Sequence, residues 1–111
     1  MSFLRDWLKR TYKISPSGFQ ETRPRIVCKD GFSMSVQAGY CLYCTPRLDM
    51  SNGCYETVEI GFPSKKEDLI IEYAENSSNY TKTVYGYVPV EVVEAVIEKH
   101  GGIEGYDNDK G

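Results

Sequence analysis

Arg25-Ile-Val-Cys-Lys-Asp-Gly-Phe-Ser-Met-Ser-Val-Gln-Ala38 sets two apolar, β-branched runs on either side of Asp30-Gly31. An Asp-Gly pair between such runs is the strongest short-range signal for a β-hairpin, because Gly takes a positive φ freely and Asp tolerates one. A two-residue turn here places Lys29 opposite Phe32, Val27 opposite Met34 and Arg25 opposite Val36. This register gives one apolar face and leaves Ile26 and Cys28 opposite Ser35 and Ser33 on a mixed face.

Downstream, Tyr40 to Cys44 reads as a third short strand, ended by Thr45-Pro46 and followed by a loop over 45–53 that Asn52-Gly53 closes. Tyr55 to Phe62 alternates, with Val58, Ile60 and Phe62 on one face and Thr57, Glu59 and Gly61 on the other. Ser64 and Glu67 have the spacing of a capping box, and Leu69, Ile70, Tyr73 and Ala74 give the helix after them an apolar stripe. Thr83 to Val88 reads as a strand. Pro89 suits the first turn of a helix whose apolar face is Val92, Val93, Val96 and Ile97, and Gly101-Gly102 stops that helix.

Upstream, Phe3, Leu4, Trp7, Leu8 and Tyr12 stripe one face of a helix that Ser2 can cap, and residues 15–24, with two prolines and a glycine, form a connector. The order implies an α+β fold: a small sheet of about four strands, made from an N-terminal hairpin and a β-α-β segment, covered by two to three helices. If the two strands of that segment are neighbours, the crossover is expected to be parallel and right-handed. The expected organisation is an amphipathic N-terminal helix or arm over 1–14, a single domain over 15–103, and a disordered tail over 104–111 with nothing to bury.

The 111 residues suffice for one domain, and no stretch approaches the roughly 18 to 20 consecutive apolar residues of a membrane span. The first ten residues lack the apolar run of a secretion signal, so a cytoplasmic setting and no membrane partner are expected. Residues 1–29 hold seven basic residues against Asp6 and Glu21, a net +5, which leaves −8 for the rest of a chain whose total is −3. Such a balance argues against binding duplex nucleic acid, which needs a surplus of cations to neutralise phosphates. The basic arm either packs on the acidic body or meets an anionic partner.

Cys28, Cys41, Cys44 and Cys54 are candidate zinc ligands, since the Cys41-Leu-Tyr-Cys44 gap lets two thiolates reach one metal. The outer two stand alone, however, and small buried thiols are the plainer reading, with no cofactor needed. His100, the one histidine, sits where a helix ends and can bond terminal carbonyls there. Glu56, Glu59, Glu67, Asp68, Glu72, Glu75, Glu91, Glu94 and Glu98 are expected on outward faces, as a solvated surface or a second interface. No phosphate-binding loop, dinucleotide fingerprint or HExxH motif occurs, so no catalytic residues are assigned and the chain is read as no enzyme.

Nine tyrosines exceed what so small a core requires. Tyrosine offers a large contact area with a polar tip at low entropic cost, so Tyr40, Tyr43, Tyr85 and Tyr87, with Arg25 and Arg47, are the candidate binding residues. Tyr85 and Tyr87 flank Gly86 and are expected on one side of their strand, with Gly86 allowing close approach of another backbone. The segments 25–38, Val58-Glu-Ile-Gly-Phe-Pro-Ser64, Val84-Tyr-Gly-Tyr-Val-Pro-Val-Glu-Val-Val93 and Lys99-His-Gly-Gly-Ile103 resemble small uncharacterised proteins of bacterial phages and prophages. That resemblance implies an accessory protein that binds a host protein, as inhibitors of host defence such as anti-CRISPR proteins do. The expected function is therefore a non-catalytic binding protein that inhibits a host factor. Two alternatives stay open: a sponge for a nucleotide signal, with aromatic stacking and Arg23, Arg25 or Arg47 on phosphates, and a zinc-stabilised module.

Overall fold

The four strands lie side by side in chain order, each antiparallel to the next: β1 (Ile26–Val27), β2 (Ser33–Gln37), β3 (Thr57–Gly61) and β4 (Val84–Pro89). In the computed structural model, which describes residues 2–106, they are joined by α1 (Phe3–Arg10), a 3-10 helix (Asp68–Tyr73) and α2 (Val90–Lys99). This is the expected α+β class with the expected number of strands. The parallel crossover is corrected. After the 3-10 helix the chain reverses through a polar turn, in which Asn79 accepts from the Lys82 amide and Asn76 from the Ser78 amide. Residues 74–75 thus run antiparallel along β4, with Ala74 opposite Tyr85, and β4 runs antiparallel to β3.

The hairpin exists, but its turn is one residue longer than expected. The Cys28 amide donates to the Phe32 carbonyl at 2.7 Å and the Gly31 amide to the Cys28 carbonyl at 2.9 Å, so Lys29, Asp30 and Gly31 form a three-residue loop. Only Gly31 takes a positive φ, +96°, while the Asp30 carboxylate accepts from the Phe32 amide at 2.9 Å. Three-residue loops of this kind put a glycine in the left-handed region at their last position. The register shifts by one, pairing Ile26 with Met34 and Val27 with Ser33. A one-residue shift exchanges the faces of a strand. Ile26, Cys28, Phe32, Met34 and Val36 are all buried together, and Val27 is exposed.

Four further expectations change. Tyr40 to Cys44 is a series of turns with Cys41 at φ +66°, not a strand. Phe62 takes φ +49° as the chain leaves β3 and is half exposed, so it does not share the face of Val58 and Ile60. The helix after Pro63 is a 3-10 helix whose N-cap is Glu67, accepting from the Leu69 amide; Leu69 is exposed and Ile70 carries the burial. Pro89 likewise ends β4 as the N-cap of α2 rather than opening the helix.

Both α-helices bury most of their expected stripes, although Tyr12 lies beyond the end of α1 and, in α2, Val92 is only partly buried while Val90 is fully so. The Ser2 hydroxyl caps α1 by accepting from the Arg5 amide, and Leu4, Trp7 and Leu8 are buried. Val90, Val93, Val96 and Ile97 of α2 join them in one core with Val58, Ile60, Tyr85 and Val88. A fully buried aliphatic side chain stabilises by about 2 kcal/mol, so the face α1 contributes is a substantial part of the core. The opposite side of the sheet carries Ser33, Ser35, Thr57 and Glu59, all partly exposed. Of the stretch expected to be disordered, Tyr106 instead packs on α1, its hydroxyl donating to Asp6 and its ring under Arg10 at 5.1 Å; residues 107–111 lie outside the described residues. Among the described residues no helix is long and apolar enough to cross a membrane.

Candidate functional site

A bulge in β4 creates the aromatic surface. Val58 pairs with Val88 but Ile60 pairs with Tyr85, so β4 holds one residue more than β3 between these pairs. The extra residue breaks strict alternation, with Tyr87 at φ +53°. Tyr85 points inward and is fully buried, its hydroxyl donating to the Tyr80 carbonyl, while Tyr87 is turned out and 45% exposed. The expectation that the two tyrosines share a side is therefore corrected, and Tyr85 leaves the list of surface residues.

Tyr43 reaches the same place from the loop after β2. Its carbonyl accepts from the Tyr87 amide at 2.9 Å, and its amide donates to Glu59 at 3.1 Å. The Tyr43 side chain lies over Gly86, where a Cβ would stand 3.3 Å from that of Tyr43. The glycine does permit a close approach, but by a side chain of this chain. The Tyr43 and Tyr87 rings sit 5.9 Å apart at 39°, and the Arg47 guanidinium stands 5.8 Å from the Tyr43 centroid, fixed by donating to the Leu42 carbonyl at 3.0 Å. Arg25 is engaged elsewhere. It donates to the Ser33 hydroxyl and to the Ser33 and Phe62 carbonyls, where it ties β2 to the end of β3.

Beside this pair, a groove of about 380 Å³ runs between residues 19–22 and the loop after β2. Phe19, Tyr40 and Leu42 supply its apolar lining; Phe19 and Tyr40 are 75% and 70% exposed. Glu21, Asp49 and Glu59 supply its charge. The Asp49 carboxylate accepts from the Tyr40 amide at 2.8 Å, so it also holds the ring that forms one wall. The Gln20 amide nitrogen donates to the Ala38 carbonyl at 2.8 Å, and its oxygen is buried with no partner among the described residues.

The four cysteines are not gathered. Cys28 and Cys44 are buried, Cys41 and Cys54 exposed, and among the described residues no three His, Cys, Asp or Glu side chains are grouped as a metal ion requires. Burial, reinforced by Asp30, pushes the Cys28 thiol up to about 11, and burial also raises that of Cys44.

Sequence reasoning missed the densest polar cluster. His100 is the C-cap residue of α2, but its ring does not turn back to helix carbonyls. It is buried between two carboxylates, Nδ1 at 2.6 Å from Asp30 and Nε2 at 2.7 Å from Glu67, and stacks on Phe32 with centroids 4.1 Å apart. Glu67, expected on an outward face, is buried and also accepts from Lys99 at 2.9 Å. Burial opposes its charge, but the Leu69 amide, Lys99 and His100 together outweigh burial and hold the carboxyl below its ordinary range. The Phe32 amide, then the His100 ring, lower Asp30. Both ring nitrogens are occupied, so this cluster is a clamp between the hairpin, the 3-10 helix and α2.

Arg23 is a second buried charge, donating to the Thr11 hydroxyl and to the Leu8 and Ala38 carbonyls at 2.8 to 2.9 Å. It joins the C-terminal turn of α1 to the end of β2, where the helix dipole favours a cation. No protein-family model, curated protein or solved structure matches this chain.

Proposed function

We propose that this chain is a non-catalytic binding protein acting by stoichiometric association with another protein, through the surface formed by Tyr40, Tyr43, Tyr87 and Arg47. The phage and prophage resemblance adds the nature of the partner: a host factor, within a defence system, that the association inhibits. The observation that carries the reading is the placement of Tyr43 and Tyr87 as an exposed pair under a fixed arginine, beside a groove walled by Tyr40. Rigid tyrosines and arginines dominate the energetics of protein interfaces. His100 is engaged by two carboxylates, and Arg23 and Arg25 by main-chain carbonyls and hydroxyls. That weighs against the nucleotide sponge, because of its three candidate phosphate ligands it leaves Arg47 alone beside the rings.

The test uses the tagged full chain as bait in bacterial lysate, with a Tyr40→Ala/Tyr87→Ala variant beside it. One retained protein at near-equal stoichiometry is expected, with at least thirtyfold weaker retention by the variant, the effect of losing about 2 kcal/mol at one hot spot. The melting temperature should barely move, since neither side chain is in the core. Equal retention by both baits removes the surface from the function. A melting temperature that rises with a nucleotide while no protein is retained overturns the reading in favour of the sponge.

A further inference from the structure

We infer that the groove between residues 19–22 and the loop after β2 receives a basic side chain, arginine or lysine, presented by an extended segment of the partner polypeptide. The inference rests on the binding-protein reading and names the chemistry of the partner at that same surface.

The groove offers acceptors, and its lining contains no lysine or arginine. Asp49 and Glu59 each use one carboxylate oxygen on a main-chain amide, those of Tyr40 and Tyr43. Neither carboxylate has a cation within 4.0 Å among the described residues. The guanidinium whose field reaches Asp49, that of Arg23, is buried behind it and bonded elsewhere. Glu21 adds a third negative charge at the rim. A ligand complementary to such a wall is rich in donors and positive.

The apolar lining fixes the rest of the ligand. Phe19, Tyr40 and Leu42 form a surface on which an aliphatic stem or a neighbouring apolar side chain can lie, as the methylenes of lysine and arginine do on apolar surfaces. A small hydrated cation would leave that surface uncovered. A side chain joining a positive head to an apolar stem satisfies both, and Tyr43 and Tyr87 continue the contact beyond the groove.

The experiment titrates the isotope-labelled full chain with acetyl-Gly-Leu-Arg-Leu-Arg-Gly-amide, and separately with the same peptide carrying Glu in place of Arg, following amide resonances. The arginine peptide should move Tyr40, Leu42 and Asp49, the glutamate peptide should not, and 0.5 M salt should weaken the first at least fivefold. Asp49→Asn with Glu59→Gln retains the oxygens that hold the Tyr40 and Tyr43 amides, so fold and melting temperature should persist while affinity falls at least tenfold. Equal response to both peptides, shifts centred on another surface, or unchanged affinity in the double variant overturns the inference. Spermidine binding as tightly as the peptide at the same resonances also overturns it, in favour of a free polyamine. In the bait experiment, loss of the partner by Tyr40→Ala/Tyr87→Ala but not by Asp49→Asn/Glu59→Gln sinks the charge argument alone. Retention by both variants sinks the surface itself.

Discussion

Glu67 is a carboxylate buried to 2% exposure, and it stays charged because three donors from three places converge on it: the Leu69 amide, Lys99 and His100. Removing one partner of such a buried set leaves the others uncompensated, which costs about 3 to 5 kcal/mol. Glu67→Ala should therefore lower the unfolding free energy by about 3 kcal/mol in urea titrations, and a loss below about 1 kcal/mol would show that the cluster is not a clamp. Asp30 and Glu67 both hold protons less tightly folded than unfolded, so on acidification the unfolded chain takes up more protons. Their contribution is complete above the ordinary values of 3.8 and 4.5 and is lost as pH falls through the lower folded values. Unfolding midpoints measured from pH 7 down to pH 3 should fall in the acid range less steeply in Glu67→Gln than in the parent chain. None of this cluster was legible in the sequence. Ser64 and Glu67 have capping-box spacing and His100 sits at a helix end, so each has a complete local explanation. Only the fold brings residues 30, 67 and 100 together.

At the level of elements, periodicity was enough to locate α1 and α2 and most of the faces they bury. It was not enough for register, because register depends on the length of a turn that both loop types can build from Asp30-Gly31. The face each register buries discriminates between them: Phe32, Met34 and Val36 meet Ile26 and Cys28 in the observed one, and Val27 with the charged Lys29 and Arg25 in the other. The bulge at Gly86 and Tyr87 was beyond reach for a related reason, since an extra residue in one strand is defined only against its partner. The three-residue turn carries its own test. Gly31 stands at φ +96° with nothing near its absent Cβ, so Gly31→Ala meets no clash, only the conformational penalty of about 1 kcal/mol. A lower urea midpoint of that size is expected, and an unchanged midpoint would contradict the turn described.

For the whole molecule, the division into a basic arm and an acidic body becomes a packing fact. α1 lies in the core with Leu4, Trp7 and Leu8 buried, the Ser2 hydroxyl donates to Glu94 of α2, and Arg5 stands 4.0 Å from Glu91. The basic segment is thus an integral layer of the fold that partly neutralises the helix beside it. The candidate surface was legible in kind, through the excess of tyrosine, but not in membership. Tyr85 went to the core, Arg25 to the sheet edge, and Phe19 and Asp49 joined from loops whose spatial neighbours no local pattern reveals. The cysteines, read first as possible ligands, have another consequence. With Cys41 and Cys54 exposed and Cys28 and Cys44 enclosed in the core, a thiol reagent such as Ellman's should react in two kinetic phases of equal amplitude. The slow phase should quicken with sub-denaturing urea and the fast one should not. Four thiols reacting in one phase would mean a core that breathes on the reagent's timescale. Two thiols report how many molecules are present, and the other two time how often the interior opens.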